Sequence, residues 1–453
     1  MAVAHVSRHL AGRRDLLALA AAWPERYPGM LDSAVRGTAQ ARYDLLFAFP
    51  QGELCLGRDG IVRDGERVLT RGFLDALDDA WRDQRTEPRS DGLPFTGGWL
   101  VFLGYELARE VEPSLWLPAA PGSLPIAMAL RCPAAIIVDH ELDQTILVAE
   151  ARHASLIDEM AADIDQAGDG RSWAPLPAPL SIDEDEAARF IDGVARIHEH
   201  LAAGDIFQVN LSRQWRAKFA EPLPPAQVAA ALRAANPAPF AGMLQWREWA
   251  IVSSSPERLV SSRDGVVQVR PIAGTRPRQA NDDDARMVQE LHAHPKERAE
   301  HVMLIDLERN DLGRVCEPGS VEVDELMTVE SYAHVHHIVS NVRGRLREGV
   351  TPGQVIAATF PGGTITGCPK VRCMQIIASI EGVGRGAYTG SMGYLDRDGS
   401  MDLNILIRTM TLEGTRLSLR AGAGIVADSD PQRELAETRA KARGMLRTLG
   451  DLS

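Results

Sequence analysis

At 453 residues the chain can form two or three domains of about 150 residues, or one large composite, and it can bury a sizeable core. With 45% hydrophobic and 25% charged residues it is not a disordered, collagen-like or coiled-coil chain, and no apolar run approaches the ~18 residues of a membrane span. A formal net charge of −13 argues against nucleic acid or an anionic membrane as the main partner, so an anionic substrate needs a locally basic pocket.

In chain order, basic Arg13-Arg14 followed by the apolar stretch Leu16 to Trp23 faintly resembles a signal peptide. Its small-residue sites fall inside the apolar stretch, so a plain helix ending before Pro24 is expected. Short β-like runs such as Tyr43 to Phe49 and Ala134 to Val138 alternate with turns, and the Pro-rich stretch 112–126 reads as a long surface loop. In residues 167–180, AGDGRSWAPLPAPL, Gly and Pro replace periodic pattern, as in an inter-domain linker. That linker divides an N-terminal region, 1–166, from a region 182–453. Helices are expected over Glu184 to Ala203, Asp282 to His294, Pro295 to Asp306, Pro369 to Ile380 and Pro431 to Leu449. Strands are expected over Ala250 to Ser254, Val266 to Val269, His336 to Val342, Ser391 to Tyr394, Leu403 to Thr409 and Arg416 to Arg420. Strands in runs, without strict alternation with helices, indicate antiparallel sheets and an α+β fold.

Gly422-Ala423-Gly424 begins a match to the dinucleotide fingerprint GxGxxA, but too little chain follows for a second parallel strand. The glycines instead suggest a turn that brings bare backbone amides close to a small ligand. GGTITGCPK (362–370) has P-loop-like glycine spacing with Cys-Pro where Lys-Ser/Thr must stand, so a P-loop is rejected. What remains is a Gly-rich loop feeding a helix with Pro369 at its first position, able to receive a carboxylate or phosphate.

Glu297 with Glu300, and Glu434 with Glu437, are two ExxE pairs that each present two carboxylates on one helix face. Each reads alone as a solvated acidic face; converging, they suit a hard cation such as Mg2+ better than zinc. His334 and His336 share one face of a strand-like segment and His337 takes the other, which fits structural or single acid/base roles better than a zinc site. The five cysteines are sparse and lack zinc spacing, so a reducing compartment and a cytoplasmic location are expected. Cys55 reads as a buried strand thiol.

Taken together, GDIFQVNLS (204–212), SSPERL (254–259), PIAGTRPR (271–278), ERAEHVMLIDLERNDLGRV (297–315), HHIVSNVRG (336–344), TFPGGTITGCPKVRCMQII (359–377), MDLNILIRT (401–409) and GAGIVADSDPQRELAETRAKA (422–442) resemble the chorismate-utilising enzymes. The resemblance covers residues 182–453, and GMLDSA (29–34), RYDLLFAFP (42–50) and GGWLVFLGYELARE (97–110) look like the same family's N-terminal half. It implies antiparallel sheets packed as a layered α/β sandwich, with the active site in a cleft. It further implies Mg2+ held by Glu297, Glu300, Glu434 and Glu437 on the ring carboxylate of chorismate, with positive charge from Arg408 and Lys441. Backbone around Gly422, Ala423 and Gly424, the Thr364 loop and Tyr388 would complete the cradle, and Glu257 and His337 match the positions for acid/base work.

Within the family, RYDLLFAFP, GYELARE, GGTITG with Gly363 and Thr366, and Asn404 look like the aminodeoxychorismate branch, whereas Ala273 and GAGIVADSDP look like the anthranilate branch. The better-known aminodeoxychorismate enzymes carry a nucleophilic lysine where Ala273 stands. No glutaminase triad is present, so the resemblance implies a separate glutamine amidotransferase subunit as ammonia donor. The segments around Leu31, Ser33, Tyr43 and Pro237 to Phe240 match loosely a tryptophan site of the family, and packing is the simpler reading of them. A non-catalytic binding protein on this fold is expected to have lost some of Glu257, His337, Arg408, Lys441 and the four glutamates; all eight are present.

Overall fold

The computed structural model describes residues 4–33, 42–168, 170, 172–277, 295–331 and 335–450, with side chains described except at 273–277, 295–300, 331 and 335–337. The expected helix Asp282 to His294 and residue His334 lie outside the described residues.

Two antiparallel sheets of twelve strands each face one another among the described residues. The first runs, in spatial order, through strands His5–Ala11, Gln144–Glu150, Ala134–Asp139, Tyr43–Ala48, Gly29–Asp32, Phe240–Trp246, Trp249–Ser255, Thr409–Glu413, Arg416–Ile425, Gln208–Lys218 and Ser181–Glu184. The second has Ile272–Pro277, Val335–Arg345, Val266–Val269, Arg258–Arg263, Met401–Ile405, Ser391–Asp396, Gly98–Leu103, Ala127–Cys132 and Gly52–Leu56 along its path, ending in a small hairpin. Both sheets take strands from either side of residues 167–180; Gly29–Asp32, for instance, pairs with Phe240–Trp246. Beyond Ala167, which ends the helix Leu156–Ala167, the described residues of that stretch carry no helix or strand.

Alternation of side chains sorts each strand between two cores. In GWLVFL (98–103), Leu100 and Phe102 point into the core between the sheets, where they meet Phe47, Ile137 and Ile251. Trp99, Val101 and Leu103 point the other way, against the helices Phe73–Gln84, Pro295–Gly313 and Pro352–Thr359. Helices Leu16–Ala22, Leu156–Ala167, Pro225–Ala235 and Pro431–Leu446 cover the outer face of the first sheet. The result is the expected layered sandwich. Among the described residues no helix is long and apolar enough to cross a membrane.

Among the described residues the expected elements hold with four instructive changes. The helix expected from Glu184 begins at Ala187, because Ser181–Glu184 pairs as an edge strand with 215–218 and the Asp185 carboxylate accepts the Gln214 N–H at 2.9 Å. The glycines 422–424 lie within a strand, not a turn, since Gly422, Ala423 and Gly424 pair with Ser212, Leu211 and Asn210. The single strand expected over Leu403 to Thr409 is two strands belonging to different sheets: Met401–Ile405 pairs in the second and Thr409–Glu413 in the first. In the 362–370 loop, Pro369 caps the helix Lys370–Glu381 from just outside it.

Candidate active site

Two crossovers between the sheets build the site. Between Trp249–Ser255 and Arg258–Arg263 the chain leaves the first sheet for the second, and Glu257 stands at that step; between Met401–Ile405 and Thr409–Glu413 it returns, and Arg408 stands there. The crossovers are laced together: Ile405 N–H donates to Glu257 O (3.0 Å), Ser254 N–H to Arg408 O (3.1 Å) and Ser255 Oγ to Ile405 O (2.5 Å). Arg408 has φ +53°, a left-handed conformation sparsely populated by non-glycine residues and found where surrounding structure over-determines the backbone.

Glu257 is 5% exposed, and its Oε1 has no hydrogen-bond partner among the described residues. Burial raises its carboxyl to about 7; the nearby Thr364 hydroxyl, the Ile272 N–H and the charges of Arg408 and Lys441 oppose that rise without cancelling it. Thr364 Oγ1 is not in bonding geometry and is itself buried without a partner. A carboxyl of this kind is about half protonated at neutrality, poised to give its proton up or take it back. Glu308, on the helix Pro295–Gly313, is pushed up to about 8 by burial, then by Asp311 and by the Glu257 charge. Neighbouring Asp311 is paired with Lys370 at 2.5 Å.

Thr364 sits on the one-turn segment Gly363–Ile365, braced by Thr366, whose hydroxyl donates to Gly362 O (2.9 Å) and whose carbonyl accepts the Asn210 N–H (2.9 Å). A Cβ at Gly363 would lie 2.3 Å from Leu307 Cδ2, so a side chain there would displace Leu307 on the neighbouring helix.

The opposite wall is the strand Arg416–Ile425. A Cβ on Gly422 would stand 2.6 Å from Asn210 Oδ1 and 2.7 Å from the Tyr388 hydroxyl, and one on Gly424 would stand 2.6 Å from Gln208 Nε2. The bare backbone thus makes room for polar groups of the neighbouring strand and of Tyr388. Ala423 points the opposite way into the apolar cluster with Val209 and Leu211, so of this residue only the backbone can serve the site.

Lys441 enters from the helix Pro431–Leu446, which starts at Asp430, whose carboxylate accepts the N–H groups of Gln432 (3.1 Å) and Arg433 (2.9 Å). Lys441 Nζ donates to Gly422 O at 3.0 Å and pairs with Glu437 at 2.5 Å. Burial holds the Arg408 guanidinium below its usual range, against the pull of Tyr388, Glu257 and Glu437. Beneath Tyr388 lies a closed ionic layer in which Arg385 and Arg420 share Glu381 at 2.7 and 2.8 Å and Arg385 also donates to Asn210 O at 2.7 Å.

The structure therefore brings together Glu257, Thr364, Tyr388, Arg408, Gly422, Gly424, Lys441 and Glu437. Glu434 is half-buried one helical turn before Glu437. Glu297 and Glu300 fall in the first turns of the helix Pro295–Gly313 and His337 in the strand Val335–Arg345, but their side chains lie outside the described residues. Buried His301, bonded to Ser340 at 2.7 Å, ties the start of that helix to the same strand. No cluster of three metal-ligating side chains occurs among the described residues. The described part of the expected set, Glu434 and Glu437, offers only carboxylate oxygens, which fits a hard cation.

Two residues escaped the sequence reading. Gln208 Oε1 and Asn210 Oδ1 are buried without partners beside Gly424 and Gly422, a sign that the cradle is built for something it does not supply itself. Their two-residue spacing on a strand was the available signal. Asn404 has a structural role, accepting the Met392 N–H (3.0 Å) and donating to Phe240 O (3.0 Å). Ser33 meets the Pro237–Phe240 segment, donating to Pro239 O at 3.3 Å, so those loosely matched segments are neighbours in space. Cys55 lies half-buried in the strand Gly52–Leu56, its thiol pushed up to about 12 by burial.

The chain matches the family described as chorismate binding enzyme over residues 55–447. It is 43% identical over 365 residues to an anthranilate synthase component I-like protein of Synechocystis, across 80% of this chain and 74% of that one. It is 39% identical over 411 residues to aminodeoxychorismate synthase component 1 of Bacillus subtilis, across 87% and 86%. The crystal structure of anthranilate synthase component I from Streptococcus pneumoniae superposes with a TM-score of 0.80 at 31% identity, across 91% and 93% of the two chains. The menaquinone-specific isochorismate synthase MenF of Escherichia coli, at 20% identity and a TM-score of 0.72, shares the fold. By profile, sequence and architecture, the chain belongs to the chorismate-binding enzyme family, whose members use chorismate.

Proposed function

We propose that the chain is component I of an aminodeoxychorismate synthase, aminating chorismate at ring carbon 4 with ammonia from a glutamine amidotransferase subunit. The supporting observation is the placing of two cations, Arg408 and Lys441, near a carboxyl raised to about 7, Glu257, beside the bare glycine backbone of Gly422 and Gly424. Chorismate is a dicarboxylate with a poorly leaving allylic hydroxyl, and it needs those three groups. The cations hold the carboxylates. Glu257 gives its proton to the departing hydroxyl, so that the C4–O bond breaks with loss of water as ammonia bonds to the ring, and the proton the new ammonium nitrogen sheds restores the Glu257 carboxyl. Mg2+ bound by the ExxE carboxylates would withdraw electrons through the ring carboxylate. His337 is the second candidate for proton transfer, and Thr364 and Tyr388 orient the ring.

The aminodeoxychorismate branch is supported by RYDLLFAFP, GYELARE, GGTITG and Asn404, and by the near full-length similarity to the Bacillus subtilis protein. Ala273 and the similarity to anthranilate synthases favour a second reading, anthranilate synthase component I. Incubation with chorismate, Mg2+ and ammonium separates the two by product: aminodeoxychorismate keeps its enolpyruvyl group, and anthranilate forms with release of pyruvate.

A further inference from the structure

The N-terminal region reaches the loop that carries Tyr388. The one-turn segment Tyr105–Leu107, which follows the strand Gly98–Leu103, packs against that loop. Tyr105 N–H donates to Gly386 O at 2.8 Å. In return the Glu106 carboxylate, 6% exposed, accepts the N–H groups of Arg385 at 2.6 Å and of Gly386 at 3.1 Å. The two chains meet closely enough that a Cβ on Gly390 would lie 2.2 Å from Leu103 O. These are bonds to the main chain, so they fix the path of the loop independently of its side chains. A charged acceptor makes the pair that ends on Glu106 the stronger kind.

Arg385, pinned through its own N–H, links several parts of the site. Besides its bonds to Glu381 and Asn210 O, the guanidinium donates to Ile365 O at 3.2 Å, in the turn that carries Thr364, and to Thr389 Oγ1 at 3.3 Å. It also stands over the rings of Tyr105 and Tyr388, 5.0 and 5.6 Å from their centroids. A guanidinium over an aromatic ring is attracted to it, most of all away from water, and Arg385 is 4% exposed. The Tyr105 hydroxyl is buried without a hydrogen-bond partner among the described residues, so the contribution of this tyrosine is its ring.

We infer that Tyr105 and Glu106 are positioning residues that fix Arg385, and through it hold Tyr388 and the Thr364 turn in place. Glu106 acts on the Arg385 main chain and Tyr105 on its guanidinium. A substrate contact works only when its own supports are locked, and here the lock is supplied by the N-terminal region. The use of this lock in turnover rests on the reading of Tyr388 and Thr364 as groups that orient chorismate. The proton donor Glu257 lies on a different crossover, so loosening the lock weakens substrate binding more than the chemical step.

The test observes Tyr388 itself. The chain contains six tyrosines, and after labelling with fluorotyrosine the Tyr388 resonance is assigned in the fluorine NMR spectrum by its loss in Tyr388→Phe. Tyr105→Leu removes the ring. Glu106→Gln keeps the size of the side chain but sets an amide N–H against a backbone N–H, and it decides the matter if Tyr105→Leu does not fold. Both should shift or broaden the Tyr388 resonance and raise the KM for chorismate about tenfold with little change in kcat. Tyr105→Phe, which keeps the ring, should match the unmodified chain in both readouts. A Tyr388 resonance unmoved in Tyr105→Leu and Glu106→Gln overturns the inference, and so does a Tyr105→Phe variant as impaired as Tyr105→Leu. A moved resonance with unchanged KM upholds the lock and removes Tyr388 from the proposed substrate site.

Discussion

At the scale of single residues, the account rests on a buried carboxyl facing two cations. Glu257→Gln removes the proton donor and should lower kcat by ~10²–10⁴ with little change in KM, measured by chorismate consumption at saturating ammonium. The same carboxyl links stability to pH. The unfolded chain releases its proton near 4.5 and the folded chain near 7, so this group destabilises the fold progressively as pH rises between those values. The full effect, present above pH 7 and absent below 4.5, is about 3 kcal/mol. The melting temperature should therefore fall less from pH 5 to 8 in Glu257→Gln than in the unmodified chain; parallel curves would place the ordinary pKa on Glu257. Truncating Arg408 or Lys441 to Gln should cost on the order of 2 to 5 kcal/mol in kcat/KM, because a buried substrate carboxylate loses its partner. Glu257, Arg408 and Lys441 were legible in the sequence because charged residues stand out inside the motifs of a known family. Gln208 and Asn210 were not, since an amide in a strand is unremarkable until the facing glycines show that its oxygen has no partner.

At the scale of elements, the glycine strand and the ExxE helix carry the predictions. Gly422→Ala pushes a methyl group against Asn210 Oδ1 and Tyr388 OH, the polar groups that border the cradle, and within 2.8 Å of the Leu211 backbone oxygen, and should raise the KM for chorismate at least tenfold in the protein that folds. Gly98→Ala is the contrasting case. Its methyl would lie 2.1 Å from the Leu395 backbone oxygen, so loss of soluble, cooperatively melting protein is expected. Glu434→Gln and Glu437→Gln each remove an anionic oxygen from a hard-cation shell and should raise the Mg2+ requirement for turnover sharply; unchanged Mg2+ dependence in both would remove that helix from the metal site. The element reading failed most usefully at Leu403 to Thr409. LNILIRT is rich in the branched apolar residues of one strand, and nothing local announces that Ile405 and Thr409 belong to different sheets. The break is imposed by tertiary contacts with the other crossover, and Arg408 takes its left-handed backbone there.

At the scale of the molecule, composition and runs of strands were enough to place the chain among antiparallel α+β folds, because alternation of apolar residues is a local property. Topology was not readable in this way: strands on either side of the Pro-rich stretch pair with one another, and such pairing depends on contacts hundreds of residues apart. The same nonlocality leaves Ala273 as the point where the branch assignment is tested. If the chain is an aminodeoxychorismate synthase as proposed, Ala273→Lys should be tolerated, whereas in an anthranilate synthase a lysine there should block ammonia from carbon 2. The most direct test of the central claim is the identity of the product formed by the unmodified chain from chorismate, Mg2+ and ammonium, read by mass and fluorescence. The account predicts an aminated product that retains its enolpyruvyl group and yields 4-aminobenzoate only after a lyase is added; anthranilate with stoichiometric pyruvate, or chorismate left unconsumed, would contradict it.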